Sequence, residues 1–344
     1  MMKLIKSLII AVVLSIIGLT SWEMFWRSQG IYPTIDGNDA LWAVVRNKVD
    51  NLTKDDVILM GSSRVHFDIQ LDEWQKITGK RPIQLASGGC SPLPFFHDIV
   101  NNSNFTGIVL VGVTPGLFFS TTNPKTQPWE RPQSKVDHFH NRTYAQRLNH
   151  QLSLPLQRSL TFLNDDDGVD GMRLKALLKK VKIDDRVINP MPPFHNFSVI
   201  SEDRNVRMKR RMETDTAYAN TVKAVWSFFM SGDGSPPDKD ATMAFFLEDL
   251  QKFKAKGGQV ILVRCPSNDK YRDTETKVTP RETFWDELIS QANVNAYHFE
   301  DYDQLQNLNI PEWSHLSAGD ADFFTTELLK IMINDNALTN HKIN

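Results

Sequence analysis

Apolar positions along this chain fall into two kinds of pattern. Near the amino terminus, Lys3 and Lys6 precede an apolar run from Leu8 to Thr20, which continues through Trp22, Met24, Phe25 and Trp26. The run reads as one membrane-spanning helix over residues 1–27, with its aromatic end at a membrane interface. A cleaved signal peptide is the competing reading, because the strictly apolar core is short, although no small-x-small cleavage site precedes the bulky aromatics. By the positive-inside rule the two lysines stay in the cytoplasm and everything after about Arg27 faces outward.

The second pattern is one of short apolar runs, each closed by small residues. It follows a linker and first helix, residues 28–52, that carry Pro33, Gly37 and an amphipathic piece from Leu41 to Val49. Strands are expected at Val57 to Gly61, Pro82 to Ala86 and Ile108 to Gly112. Each ends in a loop of small residues: Ser62-Ser63-Arg64, Ser87-Gly88-Gly89-Cys90 and Val113-Thr114-Pro115-Gly116. A helix start is expected at Asp68 to Trp74, with acidic residues near its amino end. Strands separated by helix-length segments predict a parallel sheet with helices on both faces, an α/β domain over residues 53–335. In that arrangement ligands bind at the carboxyl ends of the strands, where the three loops lie.

From about Phe119 to Asp240 the pattern lapses. This stretch holds many prolines, the acidic run Asp165 to Asp167, a basic helical candidate from Met172 to Lys182 and the mixed run Arg204 to Arg211. It reads as an insertion, residues 119–240, that covers or flanks the site, with a helix from Thr214 to Phe229 and charged runs that are solvated faces. Sheet-building resumes with a helix from Ala241 to Lys256, a strand from Gln259 to Arg264, a helix from Phe284 to Ala292 and a strand from Ala296 to Phe299. A last helix, Ala318 to Ile333, precedes a tail at 336–344.

Composition changes this picture little. A chain of 344 residues with 41% hydrophobic content can build one large core with an insertion. The net charge of −2 gives no overall field that would favour nucleic acid. Cys90 and Cys265 have neither zinc-site spacing nor the density of a disulfide scaffold; they are two separate buried thiols or one bridge at a shared sheet edge. His66 and His97 fall near the predicted loops and His138, His140 and His195 in the insertion, without metal-ligand spacing, so neither metal nor cofactor is expected.

Chemically, a serine becomes a useful nucleophile when an imidazole takes its proton and a carboxylate holds that imidazole in the right tautomer. Ser63 and, in Glu312-Trp313-Ser314-His315-Leu316, a glutamate and a histidine supply those types near predicted strand ends; Asp301 and Asp303 are further carboxylates. Oxyanion donors are expected from the backbone N–H of Ser63, from Gly88 or Gly89, and from the Thr114 hydroxyl. The plainer reading stays open as well: Gly61-Ser62-Ser63 as a tight turn with a helix cap, and Ser314-His315 as a cap of the last helix.

The order of these loops resembles the SGNH (GDSL-like) hydrolase superfamily, whose blocks are Gly-Asp-Ser, a glycine block, Gly-x-Asn and a carboxy-terminal Asp-x-x-His. Gly61-Ser62-Ser63 matches the first block, with Ser62 standing where the superfamily has its acid, and makes Ser63 the nucleophile. Gly88 or Gly89 matches the second block, Gly112-Val113-Thr114 the third with threonine for asparagine, and Glu312 to His315 the fourth with glutamate for aspartate. With the anchor, Val263-Arg264-Cys265-Pro266, Phe284-Trp285 and Ser314-His315-Leu316, the chain is similar to membrane-anchored relatives of envelope acylation. Those include the D-alanyl-transfer protein of teichoic-acid loading and the alginate O-acetylation proteins.

The resemblance implies a three-layer α/β/α, flavodoxin-like SGNH fold. It also implies a catalytic set of Ser63, His315 and Glu312, with Gly88, Gly89, Thr114 and Arg264 around the oxyanion and substrate. The expected activity is a serine-dependent O-acyltransferase or esterase, single-pass in a bacterial cytoplasmic membrane with its domain periplasmic or extracellular. It would take an acyl donor and a polysaccharide acceptor beside a multispanning membrane O-acyltransferase. The departures at Thr114 and Glu312 carry a second expectation, a non-catalytic accessory protein that binds glycan or docks such an acyltransferase.

Overall fold

The computed structural model describes residues 2–123, 125–163, 181, 192, 194–232 and 235–338. The acidic run Asp165 to Asp167 and, but for Val181, the basic stretch Met172 to Lys182 lie outside the described residues, as does the tail beyond Leu338. The chain divides into two compact units. One holds Met1–Asp36 and Tyr144–Asn196, the other Gly37–Thr143 and Phe197–Asn344.

In the larger unit the strands are β1 (Val57–Met60), β2 (Ile83–Gln84), β3 (Ile108–Gly112), β4 (Ser198–Ile200), β5 (Val206–Met208), β6 (Gln259–Arg264) and β7 (Asn295–His298). Five form one sheet in the order β2-β1-β3-β6-β7, and every pair in it is parallel. The two left over, β4 and β5, pair antiparallel as a separate ribbon. Strands buried on both faces explain the continuous apolar runs of β1, β3 and β6.

Because side chains alternate across a strand, each run supplies both faces. Ile58, Met60, Val109, Val111, Val260 and Leu262 meet Trp42, Phe96, Phe246 and Trp285 on one side. Val57, Leu59, Ile108, Leu110, Ile261 and Val263 meet Trp74, Phe324 and Leu328 on the other. The result is the three-layer α/β/α arrangement expected from the alternation. Part of the expected insertion joins it, since Trp129 and Val136 of helix Gln127–Asn141 lie in the first of these cores.

The order of the sheet reverses between β1 and β3, and in doubly wound sheets that reversal opens a crevice at the carboxyl ends of the strands. Helix Ser63–Asp68 enters directly from β1. It lies so close to the sheet that a β-carbon built on Gly61 would come within 2.5 Å of Val65 Cγ2, and one on Gly112 within 2.0 Å. Two glycines, at the ends of adjacent strands, therefore make room for one valine.

A helix start was expected at Asp68 to Trp74, but one helix ends at Asp68 and the next, Leu71–Thr78, begins after a break. Ile69 and Gln70 are extended between them. Gln70 receives the Thr325 hydroxyl as partner of its backbone N–H at 2.8 Å, and its amide donates to the carbonyls of Phe67 and Val206 at 2.6 and 2.8 Å. Tertiary partners thus outweigh the helical preference at the break. A further helix, Asp269–Val278, has no counterpart in the expected elements, because it is polar almost all round and only Glu275 on it is buried.

In the smaller unit, helix Met2–Ser28 contains a 26-residue stretch, Lys3–Ser28, long and apolar enough to cross a membrane. Its apolar side chains from Leu4 to Leu19 are uncovered on every side. Helix Tyr144–Ser159 belongs to the same unit.

Val65 is branched at Cβ and has few rotamers with which to yield, so Gly112→Ala is expected to lower unfolding stability by about 1–3 kcal/mol. Chemical denaturation in detergent checks this, with Val65→Ala in the same chain expected to recover part of the loss.

Candidate functional site

The three expected loops, with a fourth after β6, line the carboxyl edge of the sheet and are bonded to one another. Ser62 is the N-cap of helix Ser63–Asp68, its Oγ accepting the Arg64 N–H at 3.3 Å. The same Oγ pairs with Thr114 Oγ1 at 2.6 Å, joining the loops after β1 and β3. The Ser87 N–H donates to the Gly61 carbonyl at 3.1 Å, joining the loop after β2. Ser63 itself begins the helix and is half-buried. Next to it is exposed Gly88, whose pro-β position is 3.9 Å from Ser63 Cβ. Beyond it Gly89 takes φ +64° under the guanidinium of Arg131, too close for a side chain.

The last loop before the final helix brings in the imidazole. Glu312 is fully buried, and its Oε1 accepts both the His315 backbone N–H at 2.6 Å and His315 Nδ1–H at 2.8 Å. The other carboxylate oxygen accepts the indole N–H of Trp226. A carboxylate only accepts, so the proton between them belongs to Nδ1, which makes Nε2 the lone-pair nitrogen of the neutral ring. That Nε2 is buried and has no hydrogen-bond partner among the described residues. Between Glu312 and His315, Trp313 takes φ +78°, a left-handed conformation that costs a residue with a β-carbon ~1–3 kcal/mol and here turns the longer glutamate back onto the ring.

Three side chains of helix Ser63–Asp68 grip this turn. Arg64 Nε donates to Ser314 Oγ at 3.4 Å, the Phe67 ring lies on the His315 imidazole with centroids 4.5 Å apart, and Asp68 Oδ1 accepts the Leu316 N–H at 3.0 Å. Phe197 and Trp226 complete an aromatic surround, at 5.7 and 6.1 Å. Ser63 and Phe67 are four residues apart and share one face of the helix, with Phe67 leaning back toward the helix amino end. The imidazole therefore packs against a residue that shares a helix face with Ser63. No hydrogen bond joins Ser63 to His315.

Behind the turn sits a buried ionic group. Glu275 meets Arg264 at 2.7 Å and Arg64 at 2.9 Å, and accepts the Ser267 hydroxyl at 2.7 Å. Burial raises the Glu275 carboxyl, but Arg264 and then Arg64 outweigh it and hold the group below its ordinary value. Burial pulls Arg264 down to about 10 in spite of Glu275. Arg264, expected around substrate, is thus a buried member of this ion group.

Of the expected set, His315 and Glu312 are directly bonded, and Ser63 lies beside Gly88. Thr114 pairs with Ser62 rather than Ser63. Asp301 pairs with Arg281 and His97 with Asp249, and His66 donates to the Arg204 carbonyl. Both cysteines are free and buried. Among the described residues no cluster of three or more His, Cys, Asp or Glu is placed to hold a metal ion. Trp226, Phe67, Asp68 and Glu275 were not anticipated. Trp226 is half-buried on helix Thr216–Ser231, at helical spacing from the buried Ala219 and Val222, and nothing local marked its partner. No family model and no curated protein matches the chain.

Asp68 offers a pH test. Burial pushes its carboxyl well above the ordinary value, against the Leu316 N–H and Arg64. The folded chain therefore holds a proton that the unfolded chain releases, so this group's contribution is most favourable below about pH 4 and declines as pH rises toward the folded value. Urea midpoints of wild type relative to Asp68→Asn are expected to fall between pH 4 and pH 8.

Proposed function

We propose that the chain is a serine-dependent acyl-transfer enzyme of SGNH type, anchored in a membrane by its amino-terminal helix with the α/β domain outside. What supports this most is the imidazole. It is oriented by a buried carboxylate, keeps a free Nε2 lone pair, and rests on Phe67, one helical turn from Ser63 on the same face. The doubly wound strand order, with the loops after β1 and β3 flanking its switch point, agrees with the SGNH resemblance.

In this reading Ser63 Oγ attacks the carbonyl carbon of an acyl ester or thioester while its proton passes to His315 Nε2. Glu312 holds Nδ1–H and stabilises the imidazolium. The carbonyl oxygen becomes an oxyanion facing the N–H groups at Ser63 and the exposed Gly88 turn. Collapse breaks the bond to the leaving group, which takes the proton from Nε2 and leaves acyl-Ser63. A sugar hydroxyl, or water, then gives its proton to Nε2 and attacks the acyl carbon, and the bond to Ser63 Oγ breaks as that oxygen takes the proton back from Nε2. The acceptor is an envelope polysaccharide, reached beside a multispanning O-acyltransferase.

Thr114 favours a second reading. Its hydroxyl is engaged with Ser62, where the superfamily has an asparagine amide, which suits an accessory protein that uses the cleft for binding. Treating the folded protein with a fluorophosphonate separates the two. The enzyme reading expects stoichiometric label on Ser63 by peptide mapping, lost in Ser63→Ala. Folded protein that stays unlabelled contradicts the enzyme reading and leaves the accessory one.

A further inference from the structure

Helix Tyr144–Ser159 is amphipathic in the wrong sense for water. Tyr144, Leu148, Leu152 and Leu156 recur every four residues and are 73%, 40%, 64% and 52% exposed. On the opposite face, about half a turn away at 100° per residue, the polar His150 and Gln157 are buried. A helix on a water-facing surface does the reverse, burying its apolar stripe. Ala145 and Pro155 fall within the outward sector too, so it is almost continuously apolar. The helix carries no acidic residue, and Arg147 and Arg158 flank the stripe on one side.

Its carboxyl end is tied to the end of the apolar amino-terminal helix. Arg27 Nη2 donates to the Ser159 carbonyl at 2.8 Å, and Glu23 accepts the N–H groups of Thr161 and Phe162 at 3.0 and 3.2 Å. Gln157 pairs with Asp36 through its amide, at 3.1 and 3.2 Å. The tie falls among Trp22, Phe25 and Trp26, the aromatic residues that sit at the boundary between hydrocarbon and water. The apolar stripe therefore starts at headgroup depth, with Leu156 only three residues before the Ser159 contact.

We propose that helix Tyr144–Ser159 lies in the plane of the bilayer surface, with Tyr144, Leu148, Leu152 and Leu156 inserted among the lipid headgroups and upper acyl chains. His150 and Gln157 stay buried on the opposite face, and its arginine flank meets anionic headgroups. The unit then has a second line of attachment about 20 Å long, which restricts its tilting relative to the membrane plane. This rests on the reading of residues 1–27 as a membrane anchor.

The test uses the full chain reconstituted in vesicles of phosphatidylethanolamine and phosphatidylglycerol. A nitrobenzoxadiazole label is placed in turn at Leu152→Cys, Arg147→Cys and Leu14→Cys, the buried native thiols being left unlabelled. The expected result is that Leu152→Cys is quenched at least twofold more by a shallow acyl-chain nitroxide than by a water-soluble quencher, with Arg147→Cys reversed. Quenching of Leu152→Cys from water, or by neither agent because protein covers it, overturns the proposal. Lipid quenching at Leu14→Cys alongside either of those outcomes leaves the anchor standing and sinks only the surface helix. Loss of lipid quenching at Leu14→Cys as well means that the anchor reading itself has failed.

Discussion

The grip of helix Ser63–Asp68 on the turn Glu312–Leu316 is the contact on which the candidate site depends. Asp68 takes the N–H that follows His315, Phe67 lies on its ring, and Arg64 reaches the serine before it. Residues some 250 positions apart in the chain are held together by side chains spaced along about one helical turn. Each contact is modest alone, since a hydrogen bond adds about 1 kcal/mol net, yet removing one leaves a buried polar group unpaired at a larger cost. The same helix carries Ser63, so whatever fixes the turn also fixes the serine relative to the imidazole.

That helix can play this part only because the sheet lets it come close. Glycines at the ends of β1 and β3 admit Val65, and Ser62 caps the helix while tying it to Thr114. Behind the turn, Glu275 balances two buried guanidinium groups, Arg64 and Arg264, an arrangement whose worth lies in geometry more than in net stability. It aligns the loop after β6 with the turn, where the Asn268 N–H also donates to the Trp313 carbonyl at 3.1 Å. Rigid supports of this kind hold a catalytic group in place without help from a ligand.

Much of the frame follows from local pattern, because a doubly buried strand must be apolar throughout. Hence β1, β3 and β6 stand where their apolar runs are, and the loops after them meet at one edge. The pairing of Glu312 with His315 was readable too, since three residues of separation let a side chain turn back. What was hidden is of another kind. Trp226 reaches Glu312 from 86 residues away, and Gln70 breaks a helix because Thr325 and Val206 supply partners that no local window contains. Asp269–Val278 was hidden because its single buried face is one glutamate. Thr114 was expected to donate to the oxyanion, and its bond to Ser62 follows from the order of strands, which sequence spacing leaves open.

In the proposed reaction His315, oriented by Glu312, takes the proton of Ser63. The rate of single-turnover phosphonylation of Ser63 checks this, compared among wild type, Glu312→Gln and His315→Gln. Glu312→Gln is expected to slow the wild-type rate and His315→Gln to lower it by ~10²–10⁴-fold. An unchanged rate in His315→Gln would overturn the proposed pairing.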